Sequence, residues 1–145
     1  MTRAESPTAL ARVRALADAS PFVAWLGIEV VAAGRGWVET ALTLTPEHLQ
    51  QTGVVHAGVQ ATLADNTAGA AATTVIDEDQ TVVSVEFKVN LLRGAQGKKL
   101  LCRSDVLKAG GRIVVAEAAV MVEGHEGSRL VSKATVTLMP VPAIR

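Results

Sequence analysis

The sequence predicts a single α+β domain in which a mostly antiparallel sheet surrounds one long helix. Three observations carry that reading. Residues 54–76, VVHAGVQATLADNTAGAAATTVI, contain no proline and a single carboxylate, Asp65. Much of the remaining chain alternates apolar and polar side chains with a period of two, the pattern of half-buried strands. The composition is 49% hydrophobic but only 3% aromatic, so the core has to be made of Ala, Val and Leu. At 145 residues the chain is long enough to bury such a core as one domain.

The first 27 residues read as a helical lead-in. Ser6-Pro7 offers a side-chain cap followed by proline at the first helical position, and Leu10, Val13, Leu16 and Ala17 recur at helical spacing up to about Ala19. Ser20-Pro21 repeats the signal for a short apolar turn, Phe22, Trp25 and Leu26, that Gly27 ends. These residues are expected to pack as a lid on the sheet, or to place Phe22 or Trp25 in a pocket. Ile28 to Ala33 and Trp37 to Leu44 then read as strands joined by the hairpin Gly34-Arg35-Gly36. A polar loop, His48 to Thr52, leads to the central helix.

Beyond the helix, Val83, Val85, Phe87, Val89 and Leu91 alternate with Ser84, Glu86, Lys88 and Asn90. This is the cleanest strand pattern in the chain, and it places Ser84 on the polar face. Leu100 to Lys108, Arg112 to Glu123 and Leu130 to Met139 complete the set. Gly110-Gly111 is expected to supply positive backbone dihedrals for a tight turn, and Gly124 to Gly127 a second turn.

Composition narrows the function. Lys+Arg and Asp+Glu are both 14 and the net charge is zero, which recommends neither a nucleic-acid partner nor an anionic membrane surface. Cys102 is alone, so no internal disulfide forms and a reducing compartment is expected. Met1 to Ser6 is polar, and no apolar run approaches the roughly 18 residues of a membrane span; a cytoplasmic protein is expected. Three scattered His residues show no metal-ligand spacing. Cys102 itself reads as a small buried side chain.

Asp65 stands out. Its helical neighbours Ala61, Thr62, Ala68 and Gly69 include no cation, so this carboxylate has to be exposed, otherwise paired, or functional. His56 precedes the helix as a cap or as part of a site. The free N–H groups of Ala57 and Gly58 in the first turn suit a carbonyl oxygen or oxyanion. Ala57 and Asp65 are eight residues apart, roughly 12 Å at about 1.5 Å per residue. Reacting atoms must approach to about 3–3.5 Å. Two helices running antiparallel across a two-fold axis would bring Asp65 of one subunit to the helix start of the other.

The segment Gly53-Val54-Val55-His56-Ala57-Gly58, followed by Leu63-Ala64-Asp65, resembles the GxxHGGxxxxLxD signature of the hotdog-fold acyl-CoA thioesterases. The nearest branch is the phenylacetate-degradation type, which includes the mammalian thioesterase superfamily member two. The likeness runs from about Pro21 to Met139 and takes in Leu26-Gly27-Ile28, Ser84-Val85-Glu86-Phe87 and a late Lys-Ala-Gly-Gly-Arg turn. It implies a curved antiparallel sheet wrapped around one helix, paired into a homodimer and commonly doubled to a homotetramer. Asp65 matches the nucleophile or general base. His56 and the following backbone N–H match the group that polarises the thioester carbonyl from the other subunit. Ala57 stands where the family often has glycine; its N–H remains, while its methyl narrows the pocket. Gln50 stands where some relatives carry an Asn, and Ser84 matches a hydroxyl that assists the water. Coenzyme A enters as part of the substrate, with no separate cofactor. Arg93, Lys98, Lys99, Lys108 and Arg112 are candidate phosphate partners, with Arg93, Lys108 and Arg112 preferred. A hydratase or dehydratase of the same fold and a non-catalytic acyl-CoA sensor are the alternatives.

Overall fold

In the computed structural model, which describes residues 3–144 and so leaves Met1, Thr2 and Arg145 outside it, six strands form one sheet curved around a central helix, α3 (Ala57–Thr73). The strands are β1 (Ile28–Gly34), β2 (Trp37–Thr43), β3 (Gln80–Leu91), β4 (Lys99–Ala109), β5 (Val114–Gly124) and β6 (Gly127–Pro142). Their order is β1-β2-β4-β5-β6-β3, and every neighbouring pair is antiparallel. The α+β reading holds. The central helix is shorter than the stretch that announces it: Val54 and Val55 lie in a loop whose Val55 bridges Leu49, and Thr74 caps the far end.

The small residues of α3 set the packing distance. Ala64, Ala68 and Ala72 lie with Leu63 against Leu42, Leu100, Val114, Ala116, Val136 and Leu138 from the strands. Leu42, Leu63, Leu100 and Leu138 are fully buried, each such side chain contributing about 1.5–3 kcal/mol. Larger residues on α3 would hold the sheet away. Two hydroxyls in this core pair with each other across α3 and β2. Thr67 donates to the Leu63 carbonyl at 2.7 Å, which leaves the Thr40 hydroxyl to donate to Thr67 at 2.6 Å. Cys102 is buried beside them, and burial pushes its thiol up to about 12. A thiolate reagent at pH 8 is therefore expected to leave Cys102 unmodified until the protein is denatured, a result read directly by intact mass.

Two helices precede the sheet. In α1 (Pro7–Asp18) the Ser6 side chain accepts from the Ala9 N–H, and Val13 is buried against Ala33, Val38 and Ala71. In α2 (Pro21–Leu26) Ser20 caps the start, and Gly27, at φ 86°, turns the chain out of the helix. The apolar turn meets the expectation in part: it packs on the sheet by one face, and Trp25 borders an open groove with Leu26, Glu29 and His48. Val23 and Leu26 face the core, whereas Phe22 and Trp25 are exposed and stack on each other at 6.1 Å. In so short a helix only one face reaches the sheet, and Val23 and Leu26 occupy it.

Other expectations need correction. The strict alternation read over Val83–Leu91 is broken by a bulge between Ser84 and Glu86. The extra residue, Val85, shifts the pleat, so Ser84 joins Val82 and Val89 on the face toward α3. Neither Gly110 nor Gly111 has positive φ. Residues 110–113 form a wider loop, closed by the Gly110 N–H on the Ile113 carbonyl, and Arg112 sits in that loop rather than in β5. The polar stretch from His48 hides a buried side chain. A short 3-10 turn, Pro46–His48, places the His48 ring so that its Nδ1 accepts from the Thr45 N–H at 3.1 Å. Its Nε2 therefore donates to the Leu26 carbonyl, also at 3.1 Å.

The loop from β3 back to β4 crosses the end of β5, where the Lys98 N–H bonds the Glu123 carbonyl at 2.9 Å. A Cβ on Gly97 would stand 2.4 Å from that same carbonyl oxygen and 2.7 Å from Val122 Cγ2. Gly97→Ala is accordingly expected to destabilise the fold by roughly 1–3 kcal/mol, measured as a lowered urea midpoint with an unchanged slope.

Candidate active site

The start of α3 is shaped by its cap. Gly53, at φ 82°, closes a tight turn in which the Gln50 N–H bonds the Val54 carbonyl at 2.8 Å. The Val55 N–H bonds Ala95 and the His56 N–H bonds the His48 carbonyl, both at 2.9 Å. The chain thus enters the helix anchored on two sides. His56 Nδ1 then accepts from the Gly58 N–H at 2.8 Å. That bond fixes the tautomer: a neutral His56 carries its hydrogen on Nε2, on an exposed ring. It also explains the glycine, since a Cβ at Gly58 would meet Nδ1 at 3.0 Å.

The same bond revises the reading of Gly58 as an oxyanion donor. Its N–H is already satisfied by the imidazole, which leaves the Ala57 N–H and His56 Nε2–H as the donors that the helix start still offers. Gln50, Ala57 and Arg93 line one open groove of about 360 Å³ with Val54, Leu91 and Leu92. The Gln50 amide donates to Thr52 Oγ1 at 2.6 Å.

Asp65 lies two turns further along, half-buried. Ser84 Oγ donates to its Oδ1 at 2.6 Å. Among the described residues no cation pairs with Asp65, so the serine is what orients it, with Oδ2 left over to accept a proton. Removing that donor in Ser84→Ala is expected to lower turnover about tenfold with little change in KM, read from initial rates. Beside Asp65, Asn66, Gly69, Ala70 and Thr73 line a second groove, of about 320 Å³, whose other wall is Val13, Leu16, Val23 and Val82.

One protomer does not gather every candidate. Asp65 and Ser84 meet, and so do Gln50, Ala57 and Arg93, but the two groups are separated along α3. Lys108 and Arg112 are exposed beyond Val106, whose N–H bonds Gly36. Gly36 in turn bonds Thr74 at the C-terminal end of α3. They therefore sit at the opposite end of the helix from Arg93. No group of three or more His, Cys, Asp or Glu side chains is arranged for a metal ion among the described residues. No helix there is long and apolar enough to cross a membrane.

Sequence reasoning passed over Gln60. It is 3% exposed and on the buried stripe of α3 with Leu63, Ala64, Thr67 and Ala71. Its signal was visible: an amide in a run of small and apolar residues, one turn after Ala57.

A curved sheet closed on an axial helix, with an oriented carboxylate facing a sheet edge, is the hotdog architecture equipped for hydrolysis. The chain belongs to the Thioesterase superfamily, whose model matches residues 52–136. A thioesterase family protein of Silicibacter pomeroyi superposes with a TM-score of 0.90 at 32% identity, covering 93% of this chain and 99% of that one. The 1,4-dihydroxy-2-naphthoyl-CoA hydrolase of Listeria monocytogenes is 26% identical over 113 residues, 78% of this chain and 91% of that one. The PaaI protein of the E. coli phenylacetic acid degradation operon, at 17% identity, shares the fold: its TM-score is 0.84 over 97% of this chain and 98% of that one. The protein is a hydrolase of the thioesterase type.

Proposed function

We propose that the protein hydrolyses acyl-CoA thioesters to the free acid and coenzyme A, at sites built from two subunits. The observation that carries this reading is Asp65, without a cation partner among the described residues and oriented by Ser84 on the terminal strand of the sheet. The ionised carboxylate either takes a proton from water, whose oxygen attacks the thioester carbon, or attacks that carbon itself. In both routes the carbonyl oxygen becomes an oxyanion, held by His56 Nε2–H and the Ala57 N–H of the partner subunit. The oxyanion collapses and breaks the C–S bond. In the first route the CoA thiolate takes the proton that Asp65 removed from water, and the acid is free. In the second the collapse leaves an anhydride between Asp65 and the acyl group, which water cleaves to the acid and the carboxylate, its proton going to the thiolate. Gln50 flanks that oxyanion site.

The partner's contribution follows from distance, because Asp65 lies roughly 12 Å along α3 from its own Ala57. The exposed side chains of β3 support it: this long edge strand presents Val83, Val85, Phe87 and Leu91, an arrangement that invites aggregation unless a partner strand covers it. The assembly is a homodimer or a dimer of dimers. The acyl group occupies the groove beside Asn66 and Gly69, and Arg93 of one subunit, with Lys108 and Arg112 of the other, meets the CoA phosphates. A cytoplasmic setting agrees with the free Cys102. Release of free thiol from a panel of short-chain, long-chain and arylacetyl CoA esters tests the activity and names the acyl class. Tight binding without turnover would leave a sensor instead.

A further inference from the structure

Gln60 Oε1 is buried and has no hydrogen-bond partner among the described residues of the protomer. Burying an amide oxygen unpaired costs about 1–3 kcal/mol, and Leu or Met would fit the stripe it shares with Leu63 and Ala64 without that cost. The other polar side chain on this face of α3, Thr67, is bonded twice. Gln60 also lines the groove that holds Ala57 and Gln50, one helical turn from the Ala57 N–H. An unsatisfied acceptor facing a groove, next to a helix start that suits a carbonyl oxygen, describes a place where a ligand presents both an acceptor and a donor.

We infer that Gln60 is a substrate-orienting residue whose amide oxygen takes a hydrogen bond from an N–H or O–H of the bound acyl-CoA. This deepens the proposed function and rests on it for the identity of the ligand. Two parts of an acyl-CoA supply such a donor close to the thioester: the amide N–H groups of the pantetheine arm and a hydroxyl on the acyl group.

The test compares Asp65→Asn with the double variant Asp65→Asn, Gln60→Met, so that binding is read without turnover. Calorimetry measures phenylacetyl-CoA, 4-hydroxyphenylacetyl-CoA, hexanoyl-CoA and 3-hydroxyhexanoyl-CoA. Thermal melts and sedimentation accompany it. The expected result is a rise in Kd of roughly five- to twentyfold, with Tm unchanged or higher because an unpaired buried amide has been removed. Weakening of all four esters alike assigns the donor to pantetheine; weakening of the hydroxylated pair alone assigns it to the acyl hydroxyl. Unchanged Kd values overturn the inference. So does a lower assembly mass in the double variant, which would give the amide's partner to a second copy of the chain. Failure of all four esters to bind Asp65→Asn overturns it as well. Absence of turnover by the unmodified protein, with the Kd difference present, would sink the hydrolase reading and leave this one standing.

Discussion

Asp65→Asn is expected to lower thioester hydrolysis by a factor of about a hundred or more while leaving the fold intact. The amide keeps the shape of the carboxylate and still accepts from Ser84, which donates to Oδ1 at 2.6 Å. It neither takes a proton from water nor attacks a carbonyl. No ion pair is lost, since no described cation contacts Asp65, so stability is expected to hold within roughly 1 kcal/mol. The useful signature is the split between the two readouts: thiol release collapses, while the melting temperature and CoA-ester binding persist. Retained turnover in Asp65→Asn would remove the carboxylate from the chemistry.

The second large effect is expected at the sheet edge. Phe87 is 46% exposed on β3, with Val85 and Leu91 exposed on the same strand. Within a protomer, Phe87→Asp disturbs little, because the ring is not part of either core cluster. Across a β3 pair it sets two carboxylates into an apolar seam, each strongly unfavourable without a partner. The variant is expected to sediment as a monomer with the circular dichroism of the unmodified protein. Its turnover is expected to fall to the level of Asp65→Asn, since each site needs a second helix start. A fully active monomer would place both halves of the site in one chain.

How much of this was legible without coordinates varies residue by residue. The run of small residues around Asp65 announced the axial helix because nothing else fits inside a tightly curved sheet. Strand identities followed from alternation, and Ser6, Ser20 and Gly27 marked their helix ends through capping chemistry. The position of Ser84 was not readable from the pattern. A bulge at Val85 depends on how β3 meets β6, and period-two counting puts Ser84 on the wrong face; only the family resemblance pointed to it. Tertiary context also decided His48, which looks like loop and is held by the Leu26 carbonyl 22 residues away. Gly110-Gly111 looked like a tight turn, yet β4 and β5 carry their own bulge between Val106 and Lys108, and the wider loop needs no positive φ. Gly58 shows the limit of counting free amides at a helix start, because the cap consumes one of them. Arg93, Lys108 and Arg112 are single charges, and spacing says nothing about which end of α3 each will occupy.

The claim at the centre is that Asp65 and His56 act together across two subunits. Complementation tests it most directly. Asp65→Asn and His56→Ala are purified separately, mixed in equal amounts under conditions that exchange subunits, and assayed for thiol release against each parent. A mixed dimer holds one site with both residues intact and one with neither. Half the dimers are mixed, so the account predicts recovery to about a quarter of the unmodified activity, from parents that are each nearly inactive. A mixture that stays at the level of its parents after exchange has been demonstrated would contradict it, and would place Asp65 and His56 in the same chain's chemistry or in none.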